Sequence, residues 1–497
     1  MSEPRNPPRS ATLSAPAWRL AGLRPDAARR TATTPAGDTV TCGGLPLGVF
    51  EHSAPSAVAL LDLDRGLTPV APDGGPCRAG TVDALLLIRL HDEPLATLHV
   101  DGDVTSMSGS ELLAALWPRL ASVLAAHTAT CGCGLECGDP LSLAAALPAS
   151  NSASATAGPR DTGLSAAVIL CTAGRPLVLE RCVRSLLAQT RAPDEVLIVD
   201  NRPADGQTLR IAHRLAGEDN RVRYVAEPRA GLSVARNRGV AHTDCDVVAF
   251  TDDDVLTDPG WLSWLLDGFA EPRVGVCCGL VLPLELQSAA QKRFELYDGF
   301  CKGLERRSFT MRDGQGHGRL LFPFVNGMVG TGNSMAFRRR ELVALGGFDP
   351  ALGAGSPARA GEETCAFAAA ILAGGRIIYQ PRALCWHEHR RDEQALRSQV
   401  LGYGVSVGAI LARAVASRDS RLFDAAARAL VTLAGNGGTP EPDHGGRAAR
   451  PAELDRIRRA GMLQGPLRYL QGVRRARRLG LHEHAPGEPI EKLSRSG

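Results

Sequence analysis

From Ala166 onward the chain alternates short apolar runs with amphipathic stretches. Ala166 to Cys171 is apolar at nearly every position, the pattern of a strand covered on both faces. Val178 to Gln189 places Leu179, Cys182, Val183 and Leu186 on one helical face. Glu195 to Val199 predicts a second strand, ending at Asp200 and completing a strand-helix-strand unit. Leu209 to Ala216 predicts a helix, Val222 to Ala226 a strand and Leu232 to Ala241 a helix. Val247 to Phe250 then predicts a strand that runs through Thr251 into three carboxylates, Asp252, Asp253 and Asp254. This alternation with short loops predicts an α/β fold, an open, mostly parallel, Rossmann-like sheet that binds ligands at the carboxyl ends of its strands. Thr172, Asp200 and the Asp252 triplet all fall at such ends.

The flanks have different patterns. Residues 1–40 are rich in Pro, Arg, Ala and Thr without a period and are expected to form a disordered leader. Residues 41–138 read as a small α+β module of unassigned role: Ala84 to Leu90 and Leu95 to Val100 predict two strands joined by a polar turn, and Glu111 to Ala126 predicts a helix, with a kink expected at Pro118. Residues 139–163 read as a linker. Leu396 to Ala416 is Ala-rich and interrupted by Gly402, Gly404 and Gly408, as in closely packed helices, so 396–434 is expected to be a helical extension. Residues 435–497 read as a Gly/Pro-rich linker and a basic amphipathic tail. The tail suits either an anionic lipid surface or a solvated helix packed on the rest of the chain.

Composition narrows the classes. With 497 residues and 44% hydrophobic content the chain can hold two or more domains, and a net charge of +3 gives no reason to expect a nucleic-acid partner. No run approaches the ~18 apolar residues of a membrane span, and Met1 to Arg30 lacks the apolar core of a signal peptide. Thirteen cysteines, several inside apolar runs such as Val276-Cys277-Cys278, then read as reduced thiols, and a cytoplasmic location is expected. Cys131, Cys133 and Cys137 offer soft ligands, but their spacing is not the paired spacing of structural zinc sites and no fourth ligand is close in sequence.

Adjacent carboxylates repel unless a cation neutralises them, and hard oxygen ligands suit Mg²⁺ or Mn²⁺. The alternative is a solvated acidic turn before Pro259.

Ala-Ala-Val-Ile-Leu-Cys-Thr-Ala-Gly-Arg-Pro at 166–176, Leu-Ile-Val-Asp-Asn at 197–201, Gly-Leu-Ser-Val-Ala-Arg-Asn-Arg-Gly at 231–239 and the Asp triplet, with its D-x-D spacing, resemble the donor half of family-2 glycosyltransferases. Gly-Thr-Gly-Asn-Ser-Met-Ala-Phe-Arg-Arg at 330–339, Gly-Gly-Phe-Asp at 346–349, Gly-Glu-Glu at 361–363 and Trp-His-Glu-His-Arg at 386–390 resemble the acceptor half. The resemblance covers 164–395 and implies a GT-A-type nucleotide-sugar-binding sheet. It also implies inverting transfer from a nucleotide-diphosphate sugar to an acceptor hydroxyl, in polysaccharide or glycoconjugate biosynthesis.

On that resemblance Asp252 and Asp254, with His387, are expected to hold a divalent metal, and Asp253 to share ligation or touch the ribose. Thr172, Arg175, Asp200 and Arg236 are expected to grip the nucleotide, and Glu363, or its neighbour Glu362, to act as the base. His389 is the weaker metal candidate. Pro283 to Val325, with Phe294, Tyr297, Phe300 and Phe309, is read as a variable lid over an acceptor that the sequence does not name: a glycan, a lipid-linked sugar or a small molecule. Two other classes compete. A nucleotidyltransferase would need a Gly-rich loop and a lysine, which Cys171 to Pro176 lacks; a non-catalytic sugar-nucleotide-binding relative would be expected to lose the triplet or the Gly-Glu-Glu, and both are present.

Overall fold

The computed structural model describes residues 32–33, 39–40, 54–131, 138–146, 158–312, 329–417 and 450–481. In chain order the strands are β1 Ala32–Thr33, β2 Thr39–Val40, β3 Ala57–Asp62, β4 Asp83–Leu90, β5 Glu93–Asp101, β6 Ala166–Thr172, β7 Glu195–Asp200, β8 Val222–Ala226, β9 Val247–Asp252, β10 Val255–Thr257, β11 Val274–Pro283, β12 Arg307–Phe309, β13 Met335–Arg338 and β14 Arg376–His387. The short β1–β2 pair lies inside the segment expected to be unstructured. The rest of that leader, Cys133 and Cys137, 313–328 of the expected lid and 418–449 lie outside the described residues.

The central sheet runs β10-β14-β11-β13-β9-β6-β7-β8, with β12 paired to β14. Strands β9, β6, β7 and β8 are parallel, as the alternating pattern predicts. The expectation of a mostly parallel sheet fails on the other side, where β13 is antiparallel to both β9 and β11, and β10 is antiparallel to β14. Register sets the functional end: Thr172 lies beside Asp200, and Cys171 beside Asp252.

Strand alternation gives the sheet two buried faces. Val168, Leu170, Val196 and Ala249 pack with Leu179, Cys182, Val183 and Leu186 of α3 (Pro176–Leu187) and with Trp261 and Leu265. Ile169, Leu197 and Phe250 pack with Ala235 of α5 (Leu232–Val240) and with Phe367 and Ile371 of α9 (Glu362–Leu372). Helix α5 lies so close to the sheet that a Cβ at Gly239 would sit 2.5 Å from a methyl of Ile169.

In the N-terminal module β3 is parallel to β4 and β4 antiparallel to β5. One face packs Leu112, Leu116, Leu120 and Leu124 of α1 (Gly109–Cys131), which continues through Pro118 as one helix. The other face, through Val58, Leu60, Leu85 and Leu87, joins the same apolar cluster as Leu280, Leu282 and Leu286 of the central domain. A buried Arg89 fastens the two, donating to Asp62 at 2.6 Å and to Asp258 at 2.8 Å. Within the segment read as a linker, Pro140–Ala146 is a short helix, α2.

The described part of the expected lid is built into the core. Helix α7 (Ala289–Tyr297) starts at a capping box of Ser288 and Gln291, and Phe294 and Phe309 are buried. At the C-terminal end α10 (Glu393–Ala416) crosses α11 (Ala452–Arg478) through glycines: a Cβ at Gly408 would meet Met462 O at 2.2 Å, and one at Gly465 would meet the Gly408 Cα at 2.4 Å. Helices α1 and α10 are long and apolar enough to cross a membrane by length and composition, but α1 lays a leucine face on the module sheet and α10 lays its glycines on α11.

Candidate active site

The three aspartates point in different directions. Asp253 is fully buried, and its carboxylate accepts a hydrogen bond from Thr172 Oγ1 at 2.6 Å and the fork of Arg175. It is therefore a strut inside the protein, and Thr172, itself buried, supports it. Asp252 and Asp254 face the cleft, with side chains 29% and 15% exposed. Arg175 Nη1 donates to Asp254 Oδ2 at 2.7 Å; the arginine side chain is 46% exposed.

The other oxygen of Asp254, Oδ1, is buried without a hydrogen-bond donor and lies 3.4 Å from His387 Nε2. A chain of contacts runs behind His387: Glu295 Oε1 meets His389 Nε2, and the Nδ1 atoms of His387 and His389 are 2.8 Å apart. In the tautomer with neutral His389 protonated on Nε2, its Nδ1 accepts from His387 Nδ1 and leaves a lone pair on His387 Nε2. Burial pushes the His387 pKa down to about 4, so the ring is neutral at pH 7. Asp254 Oδ1 and His387 Nε2 thus form an O,N pair of the kind a divalent metal takes, and Asp252 stands two residues away on the same strand end.

Glu295 is the residue that sequence reading missed. It sits on α7, buried under His389, and nothing in its local pattern separates it from an ordinary helix glutamate. His387 is the last residue of β14, which continues through the polar Gln380 and Arg382 to reach it.

Arg236 is 98% buried, so it is not the open nucleotide contact its motif implied. Its guanidinium donates to Glu362 Oε1 at 2.7 Å and to Gly332 O at 3.0 Å, and Nη2 lies 3.5 Å from Asp252 Oδ1. It ties the Asp252 end of β9 to the first turn of α9. Glu362 gives Oε1 to that bridge and keeps Oε2 buried without a hydrogen-bond partner, whereas Glu363, next on the helix, is partly open. Burial and the neighbouring Glu362 push the Glu363 pKa up to about 8. Asp200 is buried with both oxygens engaged, one by Arg202 N at 2.9 Å and one by Tyr224 Oη at 3.0 Å. Its neighbour Asn201 accepts from Gly231 N at 2.7 Å and donates to Glu227 O at 2.8 Å, shaping the loop before α5. The structure therefore brings Arg175, Asp254 and His387 into contact, links Asp252 through Arg236 to Glu362 beside Glu363, and buries Thr172, Asp200 and Asp253.

The chain thus folds as a mixed α/β sheet with three carboxylates at the end of one central strand and an acidic helix start tied to it by Arg236. Residues 167–339 match the model of glycosyl transferase family 2. A pre-mycofactocin glycosyltransferase of Mycobacterium tuberculosis is 27% identical over 183 residues, 37% of this chain and 35% of the relative. A glucosyl-dolichyl phosphate glucuronosyltransferase of Haloferax volcanii is 24% identical over 230 residues, 45% of this chain and 69% of the relative. Among solved structures, a mannosyltransferase of Pyrobaculum calidifontis in complex with GDP-Man and Mn²⁺ overlaps 66% of this chain and 79% of its own, with 18% identity and a TM-score of 0.39. The chain thus spans about a third of the length of the first of these relatives.

Proposed function

We propose that the protein is a metal-dependent, inverting glycosyltransferase that moves a sugar from a nucleotide-diphosphate donor to an acceptor hydroxyl. The observation that carries this reading is His387 Nε2, 3.4 Å from the buried and unpartnered Oδ1 of Asp254, beside a region that matches this family's model. A divalent cation, Mn²⁺ or Mg²⁺, held by Asp252, Asp254 and His387 supplies positive charge against the charge that develops on the leaving diphosphate. Arg175, forked across Asp253 and Asp254 and half exposed, can turn its guanidinium to the same diphosphate. Glu363 takes the proton of the attacking hydroxyl, and the Arg236–Glu362 bridge holds the start of α9 in place for it.

A thermal-shift series with UDP-, GDP- and dTDP-sugars tests the reading. One nucleotide class is expected to raise Tm with Mn²⁺ present and much less without it, since a ligand at 100 times its Kd stabilises the folded state by roughly 2.7 kcal/mol. No shift with any donor in the presence of Mn²⁺ would remove the proposal.

The same reading places the protein in the cytoplasm, against the inner face of the membrane. Helix α11 turns Gly461, Gly465, Tyr469 and Gly472 inward and leaves Leu463, Leu467 and Leu470 exposed at 86%, 58% and 54%, on a helix rich in arginine. An apolar edge among cations suits anionic lipid and a lipid-linked acceptor. Vesicles containing anionic lipid are expected to sediment the full chain, and the double variant Leu463→Asp, Leu467→Asp is expected to stay in the supernatant. Equal recovery of the two removes the membrane contact.

A further inference from the structure

We propose that the N-terminal module carries a zinc site, separate from the sugar-transfer site, built from His91, His127 and Cys131. His91 lies in the turn between β4 and β5, and the other two lie near the C-terminal end of α1. One ligand atom from each falls within 4.8 Å of the others. Sequence spacing hides the site because His91 comes from a different element, while His127 stands one helical turn before Cys131 on α1.

The geometry suits the ion. His91 Nδ1 and His127 Nε2 are 3.2 Å apart. Two nitrogens on a tetrahedral Zn²⁺, each ~2.0–2.1 Å from the metal, stand roughly 3.3 Å apart. The outer nitrogen of each ring looks at a carboxylate: His91 Nε2 at Asp64 Oδ1, 3.7 Å away, and His127 Nδ1 at Glu93 Oε2, 3.5 Å away. Closed to hydrogen-bond distance, these contacts would form the carboxylate–histidine–metal arrangement that fixes a ligand's tautomer and raises its basicity. Both rings are more than nine-tenths buried, and His91 Nε2 has no hydrogen-bond partner.

The backbone points the same way. His91 and Asp92 both adopt left-handed conformations, φ 53° and 59°, which His and Asp take more readily than most residues with a side chain. The backbone N–H of His91 donates to Asp64, the same carboxylate that its ring faces.

Two imidazoles and a thiolate form a borderline-soft set that selects Zn²⁺ over the hard cation of the aspartate site, and leave a fourth position for water. The ion would clip the β4–β5 turn to the end of α1. Glu93, behind His127, also accepts from Arg382 of β14 at 2.7 Å, so the clip lies one residue from the contact between the module and the catalytic sheet.

The test is metal analysis of the full chain purified without chelator. About one zinc per chain is expected, falling at least about tenfold in His91→Asn and in Cys131→Ser, while Asp254→Ala keeps it. Asparagine tolerates the left-handed turn, so His91→Asn keeps the backbone while losing the ligand, and far-ultraviolet circular dichroism reports that it is folded. Cobalt replacement is expected to give a thiolate charge-transfer band that Cys131→Ser lacks. Wild-type protein without zinc, or with the same zinc content as folded His91→Asn, overturns the site. Because Asp254→Ala keeps the zinc, loss of the transferase reading and loss of this one are separately visible.

Discussion

Asp254→Ala is expected to lower donor turnover by at least about 10²-fold, the scale on which removing one preorganised electrostatic group acts on a charged transition state. The fold should survive. Arg175 keeps its fork on Asp253, and Asp253 keeps the Thr172 hydroxyl, so the end of β9 stays anchored. What disappears is the buried oxygen facing His387. Asp254→Asn sharpens the test, because it preserves shape and removes only charge. Release of nucleoside diphosphate from the cognate donor, measured for wild type and both variants at saturating Mn²⁺, reads the effect. Turnover equal to wild type in either variant would show that the aspartate site is not where the leaving group is stabilised.

The second large effect is expected at Glu363. Glu363→Gln should keep the donor- and Mn²⁺-dependent rise in Tm and lose transfer to the acceptor by about 10²–10⁴-fold, the usual contribution of a positioned base. The sign of the pH dependence follows from the raised pKa. A base works deprotonated, and burial beside Glu362 pushes its pKa up to about 8. At pH 7 the free enzyme therefore carries mostly the protonated, inactive form; kcat/KM should rise with pH through about 8 and level off above it. An ordinary glutamate near 4.3 would already be level at pH 6. A flat profile from pH 6 to 9, or a residual Glu363→Gln rate with the same acid limb, would assign the proton transfer elsewhere.

The strands from Ala166 to Asp252 were legible because each is apolar at almost every position, and a strand covered on both faces has no polar alternation to hide it. The antiparallel insertion of β13 was not. Met335–Arg338 is four residues long, and its partners β9 and β11 lie far away in sequence, so no local period announces it. Two short helices were also not legible: Pro140–Ala146, with Leu143 packed in the core of the N-terminal module, and Ala289–Tyr297, which opens on a capping box, carry too few periodic positions to announce a helix.

At the site, the sequence by itself determined the residue types and their order: carboxylates ending a buried strand, an acidic pair opening a helix, a histidine after a strand. Those follow from chemistry that local pattern encodes. Only the tertiary structure decided which of them meet. Three consecutive aspartates differ because the end of β9 turns Asp253 into the core and leaves its neighbours on the cleft. Arg236 became a brace and Glu295 the end of a histidine relay because each is buried against a charge brought from a distant segment. Burial makes such pairings obligatory, since an unpaired charge out of water is too costly to keep. The Asp252–Asp254 end of the sheet is thus specified in the sequence as a place where negative charge must be answered, and in three dimensions as the place where His387, Arg175 and Arg236 answer it.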